Sequence, residues 1–160
     1  MVFTSDHGYS LGEHELWVKH STYNVAMKTP LMFRVPGLER GQTRSGLTEH
    51  VDLYPTIIEL AGIEPPEGQL QGKSLQPRLL DASLPGKPAI YPRWKSADVI
   101  HTGQYLYTEW LSKEGSITAR MLYEHESDPD ERTNPAGELE YAASVEELSA
   151  QLVRHRESLR

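Results

Sequence analysis

Apolar and polar positions follow two different rhythms along this chain. In the first half, short apolar runs are set apart by longer mixed stretches. Met1-Val2-Phe3 runs straight into Thr4-Ser5-Asp6, and Pro30-Leu31-Met32-Phe33-Arg34-Val35-Pro36-Gly37 is an apolar run bracketed by prolines and closed by a Pro-Gly turn. Both are expected to be strands, the second one buried. Asp52 is placed to cap a helix in which Pro55 falls in the tolerated first turn, Tyr54, Ile57, Ile58 and Ala61 share one face, and Gly62 supplies the stop. Strands alternating with helices predict an α/β arrangement around a mainly parallel, doubly wound sheet. A chain whose first residues already read as a strand is expected to be part of a longer one.

The second half changes rhythm. Residues 63–72 are rich in Pro, Glu, Gly and Gln and read as a surface loop, a short segment Ser74 to Asp81 follows, and 82–87 form a second linker. Beyond it come β-type runs at Ala89–Trp94, Asp98–His101, Tyr105–Trp110 and Thr118–Tyr123, with Thr102-Gly103-Gln104 as a tight turn, which predicts an antiparallel meander. Ser144 with Glu147 reads as a capping box for a final helix whose apolar face is Val145, Leu148 and Leu152. The expected division is therefore 1–82, where strands alternate with helices, and 83–160, antiparallel sheet and helix.

Composition narrows the function. The chain has 160 residues, 38% of them hydrophobic and 24% charged, the balance of an ordinary globular protein. No run approaches the roughly 20 apolar residues of a membrane span. With 16 basic against 23 acidic residues the net charge is −7, which argues against a general nucleic-acid binder and leaves any anion binding to local clusters. Cysteine is absent, so these residues hold no disulfide, no zinc thiolate site and no cysteine nucleophile.

Candidate chemistry begins at Thr4-Ser5-Asp6-His7-Gly8. In open α/β sheets ligands gather beyond the carboxyl ends of strands, and an Asp oxygen beside a His nitrogen can turn toward one cation there. The same residues equally open a turn, Asp6 capping a backbone group and Gly8 taking a positive φ. Lys19, within Gly12-Glu13-His14-Glu15-Leu16-Trp17-Val18-Lys19-His20, offers a compact positive charge for an anionic ester oxygen, or a solvated surface lysine. His14 and His20 read either as acid-base groups or as hydrogen-bonded structural histidines. Asp128-Pro129-Asp130-Glu131 is a turn rather than an EF-hand, because Thr133 stands where that loop needs glycine and Leu139 where it needs glutamate. Ser21 and Ser74 lie in no Gly-x-Ser-x-Gly elbow.

An ordered series of segments resembles the sulfatase family of the alkaline phosphatase superfamily: Phe3-Thr4-Ser5-Asp6-His7-Gly8, Leu11-Gly12-Glu13-His14, Lys19, Thr29-Pro30-Leu31, His50-Val51-Asp52-Leu53-Tyr54-Pro55-Thr56, Leu60-Ala61-Gly62, Gly72-Lys73-Ser74-Leu75, Thr102-Gly103-Gln104-Tyr105-Leu106-Tyr107, and Leu122-Tyr123 followed by Asp128-Pro129-Asp130-Glu131. The chain is similar to bacterial relatives of iduronate-2-sulfatase and choline sulfatase. The resemblance implies an alkaline-phosphatase-like α/β fold, here the C-terminal part of the large sheet domain plus the small C-terminal subdomain.

It further implies that Asp6 and His7 are ligands of a divalent cation, calcium with manganese or magnesium as alternatives. Lys19 then contacts the sulfate, and His14 lies beside it. The family's nucleophile is a formylglycine made in a Cys/Ser-x-Pro-x-Arg sequence, which these residues lack, so the 160 residues alone are expected to be inactive. The implied substrate is a sulfated small molecule or glycan, and relatives are commonly periplasmic or secreted. Phosphonate monoester hydrolases and phosphodiesterases carry a similar Asp-His-Gly, and a non-catalytic folded remnant is a further alternative. Self-association through an open sheet edge is expected of the isolated chain.

Overall fold

The computed structural model describes residues 1–66 and 68–159, and they cluster into two compact units. One unit holds residues 1–3 and 31–90; the other holds residues 4–30 and everything from Tyr91 on. Each is built differently.

β1 (Val2–Thr4), whose Val2 and Phe3 belong to the first unit, pairs with β2 (Leu31–Phe33) in a two-stranded sheet. Both apolar runs form strands, but β2 is not buried: Met32 is 56% exposed, because a two-stranded sheet covers little of either face. Helix α2 (Leu53–Leu60) follows a 3₁₀ turn at His50–Asp52, and α3 (Gln76–Leu80) follows the loop. The expected apolar face of α2 is corrected. Tyr54 and Ile57 are exposed, whereas Pro55, Thr56 and Ile58 are buried. Thr56 is tolerated inside because its hydroxyl donates to the Asp52 carbonyl at 2.5 Å and accepts from the Leu75 N–H at 2.8 Å.

Asp52 does more than open a helix. It is fully buried, and its carboxylate accepts from the backbone N–H of Glu49 (3.0 Å) and Lys73 (2.9 Å) and from Lys87 Nζ (2.8 Å). Glu49 and Asp52 together form the capping box that Ser144 and Glu147 were expected to supply elsewhere. Burial works against the Lys87 charge, but its hydrogen bonds to Asp52 and Glu49 outweigh it and hold the ammonium above its ordinary pKa. Gly72 packs so closely here that a Cβ would land on the Val51 carbonyl.

The second unit contains the meander, β3 (Arg93–Trp94), β4 (Ala97–His101), β5 (Tyr105–Leu111) and β6 (Ile117–Glu124), antiparallel and in sequence order. The Thr102-Gly103-Gln104 turn is present, with Gly103 at φ +90. Register sorts the side chains. Val99, Leu106, Thr108, Met121 and Tyr123 share one face; Asp98, Ile100, Tyr107, Glu109 and Leu122 share the other.

On the first face Tyr23 and Met27, from the segment around helix α1 (Asn24–Met27), pack against Val99, Leu106 and Tyr123. Helix α4 (Ala142–Ser158), entered through a 3₁₀ turn at Leu139–Tyr141, lies against β4 and β5 and buries Leu148 and Leu152. Its residues reach the second face: Arg156 bridges Asp98 (3.1 Å) and Glu109 (3.2 Å), and Ser149 Oγ donates to Glu109 at 2.5 Å. Cover on both faces explains why Ala97, Asp98, Val99 and Ile100 are all buried without alternation. Ser144 lies inside α4, which begins two residues earlier, so it caps nothing.

Candidate functional site

Asp6 and His7 come one residue after β1, past Ser5, where the chain has left the strand. Gly8 then presses against the α1 turn: its N–H donates to the Ala26 carbonyl at 2.8 Å, and a Cβ would land on the Val25 carbonyl. Glycine is required there by close approach; its φ is not among the positive ones.

The next residues fold back on themselves. Ser10 N–H donates to Val18 O (3.0 Å), Gly12 N–H to Leu16 O (2.9 Å) and the Tyr9 hydroxyl to Trp17 O (3.0 Å). The Glu13 carboxylate accepts from the Leu11 N–H, and backbone hydrogen bonds at Glu13 itself and at Leu11 hold its carboxyl below the usual range. This closed loop returns Lys19 to His7, so that two residues distant in sequence meet.

The resulting contact is specific. Lys19 Nζ lies 2.8 Å from His7 Nε2, and His7 Nε2 lies 3.4 Å from Asp6 Oδ2. His7 Nδ1 is 2.5 Å from the Gly8 carbonyl, which can only accept, and Lys19 can only donate. The His7 proton therefore sits on Nδ1, and Nε2 presents a lone pair toward Lys19 and Asp6. That is the tautomer that ligates a metal through Nε2. With the Asp6 carboxylate 83% exposed beside it, the two residues fit as a pair of donors. No group of three or more His, Cys, Asp or Glu that could hold a metal gathers among the described residues, so Asp6 and His7 could supply only part of a ligand set.

His14 is held on a different partner. Gly12 at φ +124 turns the chain, His14 and Glu15 both take left-handed φ values of +55 and +58, and the His14 ring stacks on Tyr23 at 3.6 Å with planes 3° apart. Non-glycine residues with positive φ cost free energy and are kept where the surroundings impose them. Here the His14 ring rests on Tyr23, and Tyr23 in turn packs against Tyr123 on the sheet.

Further supports were not legible from residue type. Glu131, 3% exposed and at φ +57, accepts the Asn24 N–H at 2.9 Å with one oxygen and faces His125 Nε2 at 2.7 Å with the other. It thereby ties the turn after β6 to the start of α1, next to Tyr23. His101 stands edge-on to His125, and burial foremost, then the neighbouring His125, pushes it down to about 4. His20 stacks on Trp94 at 4.8 Å. The only sequence signal for Glu131 was the Asp128-Pro129-Asp130-Glu131 turn.

Comparison with known proteins identifies the family. A family model described as N-sulphoglucosamine sulphohydrolase, C-terminal, matches residues 12–158. The chain is 32% identical over 164 residues to arylsulfatase K of Xenopus laevis, covering 95% of this chain and 30% of that protein. It therefore spans about 30% of the length of that relative. A structure solved in complex with its substrate D-glucosamine-2-N,6-O-disulfate superposes with a TM-score of 0.85 at 28% identity, over 98% of this chain and 33% of the other. The phosphonate monoester hydrolase of Agrobacterium radiobacter superposes with a TM-score of 0.83 at 26% identity, over 98% and 34%. In fold it is alkaline-phosphatase-like, and in sequence this chain belongs to the sulfatase family, within its C-terminal region.

Proposed function

We propose that this chain is the C-terminal portion of a sulfuric ester hydrolase acting on a sulfated sugar. The observation that carries the reading is the convergence of Asp6, His7 and Lys19, two cation donors and one fixed cation within hydrogen-bond range just beyond β1. Asp6 and His7 are the residues that would hold the divalent ion, which we assign as calcium. When bound, that ion supplies Lewis acidity and neutralises charge on the sulfate oxygens.

The chain's own residues do the rest. His7 Nε2, which faces Lys19 Nζ at 2.8 Å, is the nitrogen that would hold the ion. The Lys19 ammonium would turn to a sulfate oxygen, where it stabilises charge that grows as the ester bond breaks. His14, whose ring is held by its stack on Tyr23, would serve beside the same sulfate as a hydrogen-bonding or acid–base group. The nucleophile, a formylglycine, would come from sequence outside these residues, which contain neither Cys nor Ser-x-Pro-x-Arg.

On this reading residues 1–82 are the end of the catalytic domain and 83–160 the C-terminal subdomain. The isolated chain would be inactive and, with Phe3 and Met32 exposed on β1 and β2, prone to self-association. The test is the full-length protein assayed on 6-O-sulfated N-acetylglucosamine and on a phosphonate monoester, before and after chelation. We expect the sulfate ester to be the better substrate, with turnover lost on chelation and restored by calcium. Preferential turnover of the phosphonate would overturn the reading in favour of the alternative that the Agrobacterium likeness represents.

A further inference from the structure

Residues 4–30, which carry Asp6, His7, His14 and Lys19, form one compact unit with the chain from Tyr91 onward. Within it a line of contacts runs from the turn after β6 to the candidate site. The Asp128 carboxylate accepts from the Thr133 N–H at 2.8 Å and its carbonyl from the Glu131 N–H at 3.1 Å, which clamps the turn around a Glu131 that is 3% exposed. One Glu131 oxygen takes the Asn24 N–H (2.9 Å), the first N–H of α1, and the other faces His125 Nε2 (2.7 Å). A carboxylate is kept this deep only where its oxygens are satisfied, and here both are.

Tyr23 is the residue immediately before Asn24, in extended backbone at φ −71 and ψ 146. Holding the Asn24 N–H therefore fixes the backbone from which the Tyr23 ring projects. That ring is the platform on which His14 stacks at 3.6 Å, 3° from parallel, whereas its own contact with Tyr123 is looser, 5.8 Å between centroids and tilted by 41°. Four non-glycine residues take a left-handed φ among the described residues, and three of them, His14, Glu15 and Glu131, stand at the two ends of this line. Strain of this kind persists where the surroundings over-determine it, and it clusters at working sites. Further along α1 the Ala26 carbonyl is held separately, by the Gly8 N–H at 2.8 Å, so the Glu131 tie acts on the His14 end of the turn.

We propose that Glu131 is a positioning residue for the reaction: by holding the Asn24 N–H it sets Tyr23, and through Tyr23 the His14 ring, at the reacting ester. It touches no substrate itself. A stacked ring moves with its platform, and a reacting group displaced by about 1 Å can lose up to about a hundredfold in rate. A carboxylate 107 residues further along the chain than Asn24 thereby becomes a determinant of turnover. The turn after β6 contributes to the chemistry as well as to the fold. This rests on the sulfatase reading above, with His14 serving beside the sulfate.

The test is steady-state kinetics of the full-length protein on 6-O-sulfated N-acetylglucosamine. Glu131→Ala removes the acceptor, and Glu131→Gln keeps one oxygen for the Asn24 N–H. Asn24→Pro removes the N–H itself at the first position of α1, where proline is tolerated, and leaves Glu131 in place, so the role stays testable even where Glu131→Ala unfolds. We expect Glu131→Ala and Asn24→Pro each to lower kcat about tenfold with KM within about twofold, and Glu131→Gln to recover to within about threefold of wild type. In a His14→Ala background, itself impaired, adding Asn24→Pro should lower kcat by less than about twofold, because the group being positioned is gone. A further loss of about tenfold in that background, a loss confined to KM, or wild-type kcat in Asn24→Pro would overturn the positioning role and leave the sulfatase reading intact. So would a His14→Ala variant as active as wild type. A wild-type protein that hydrolyses no sulfate ester would remove that reading and the role with it.

Discussion

Between β4 and β6 the sheet buries Val99, Ile100, Leu106, Tyr107 and Leu122 to 1% exposure or less. In residues 31–90 the best-buried aliphatic side chains, Ile58 and Leu75, keep 8%, and the fully buried residues are the polar Asp52 and Thr56. The meander is covered on both faces, so apolar burial organises it. The 31–90 region has short elements and instead converges on one carboxylate that gathers two backbone N–H groups and Lys87. Side chains that look equally apolar in sequence therefore carry different weight in the two regions.

Leu122→Ala should open this contrast widest. It removes a fully buried side chain from a sheet with no room to collapse, at about 3–4 kcal/mol. Hydrogen exchange in the full-length protein should accelerate across 97–124 and stay unchanged across 53–60. Asp52→Ala should show the reverse at about 2–3 kcal/mol, since it orphans the Glu49 and Lys73 N–H groups and leaves Lys87 with Glu49 alone. Exchange should then quicken at 53–60 and 73–75 while the sheet holds; a uniform response to either substitution would show that the two regions share one cooperative unit.

The smallest effect is a pH dependence confined to the sheet. His101 is pushed down to about 4 in the folded chain, against about 6.5 when exposed, by burial first and by His125 next. Folding disfavours its charged form, so the full stability is present above about pH 6.5 and falls as the pH drops toward about 4. The denaturant midpoint measured between pH 7 and 4 should decline in that window, and His101→Phe should flatten the decline. An unchanged slope in the variant would assign the effect to other groups.

Much of this architecture could be read from residue order. The β-type runs from Asp98 to Tyr123 and the Gly103 turn gave the meander because strand rhythm and turn chemistry are local. The faces of α2 depart from the apolar pattern: Tyr54 and Ile57 look like core in sequence, and only tertiary contacts show that Thr56 is buried in their stead. Ser144 satisfied a capping pattern, yet the 3₁₀ turn at Leu139–Tyr141 starts the helix earlier. In the candidate site, Asp6, His7 and Lys19 were legible as residue types at a strand end and in the loop beyond it. The loop closure that joins them depends on backbone pairing between Ser10 and Val18, and the Glu131 tie to Asn24 spans most of the chain; neither leaves a local signature.

The most direct test of the site is the Lys19→Ala substitution in the full-length protein, assayed on 6-O-sulfated N-acetylglucosamine. With Lys19 on the sulfate, kcat/KM should fall by about a hundredfold or more, mostly in kcat. A value within about twofold of the wild type would contradict the placement of Lys19 at the reacting ester and, with it, the sulfatase site built on Asp6, His7 and Lys19.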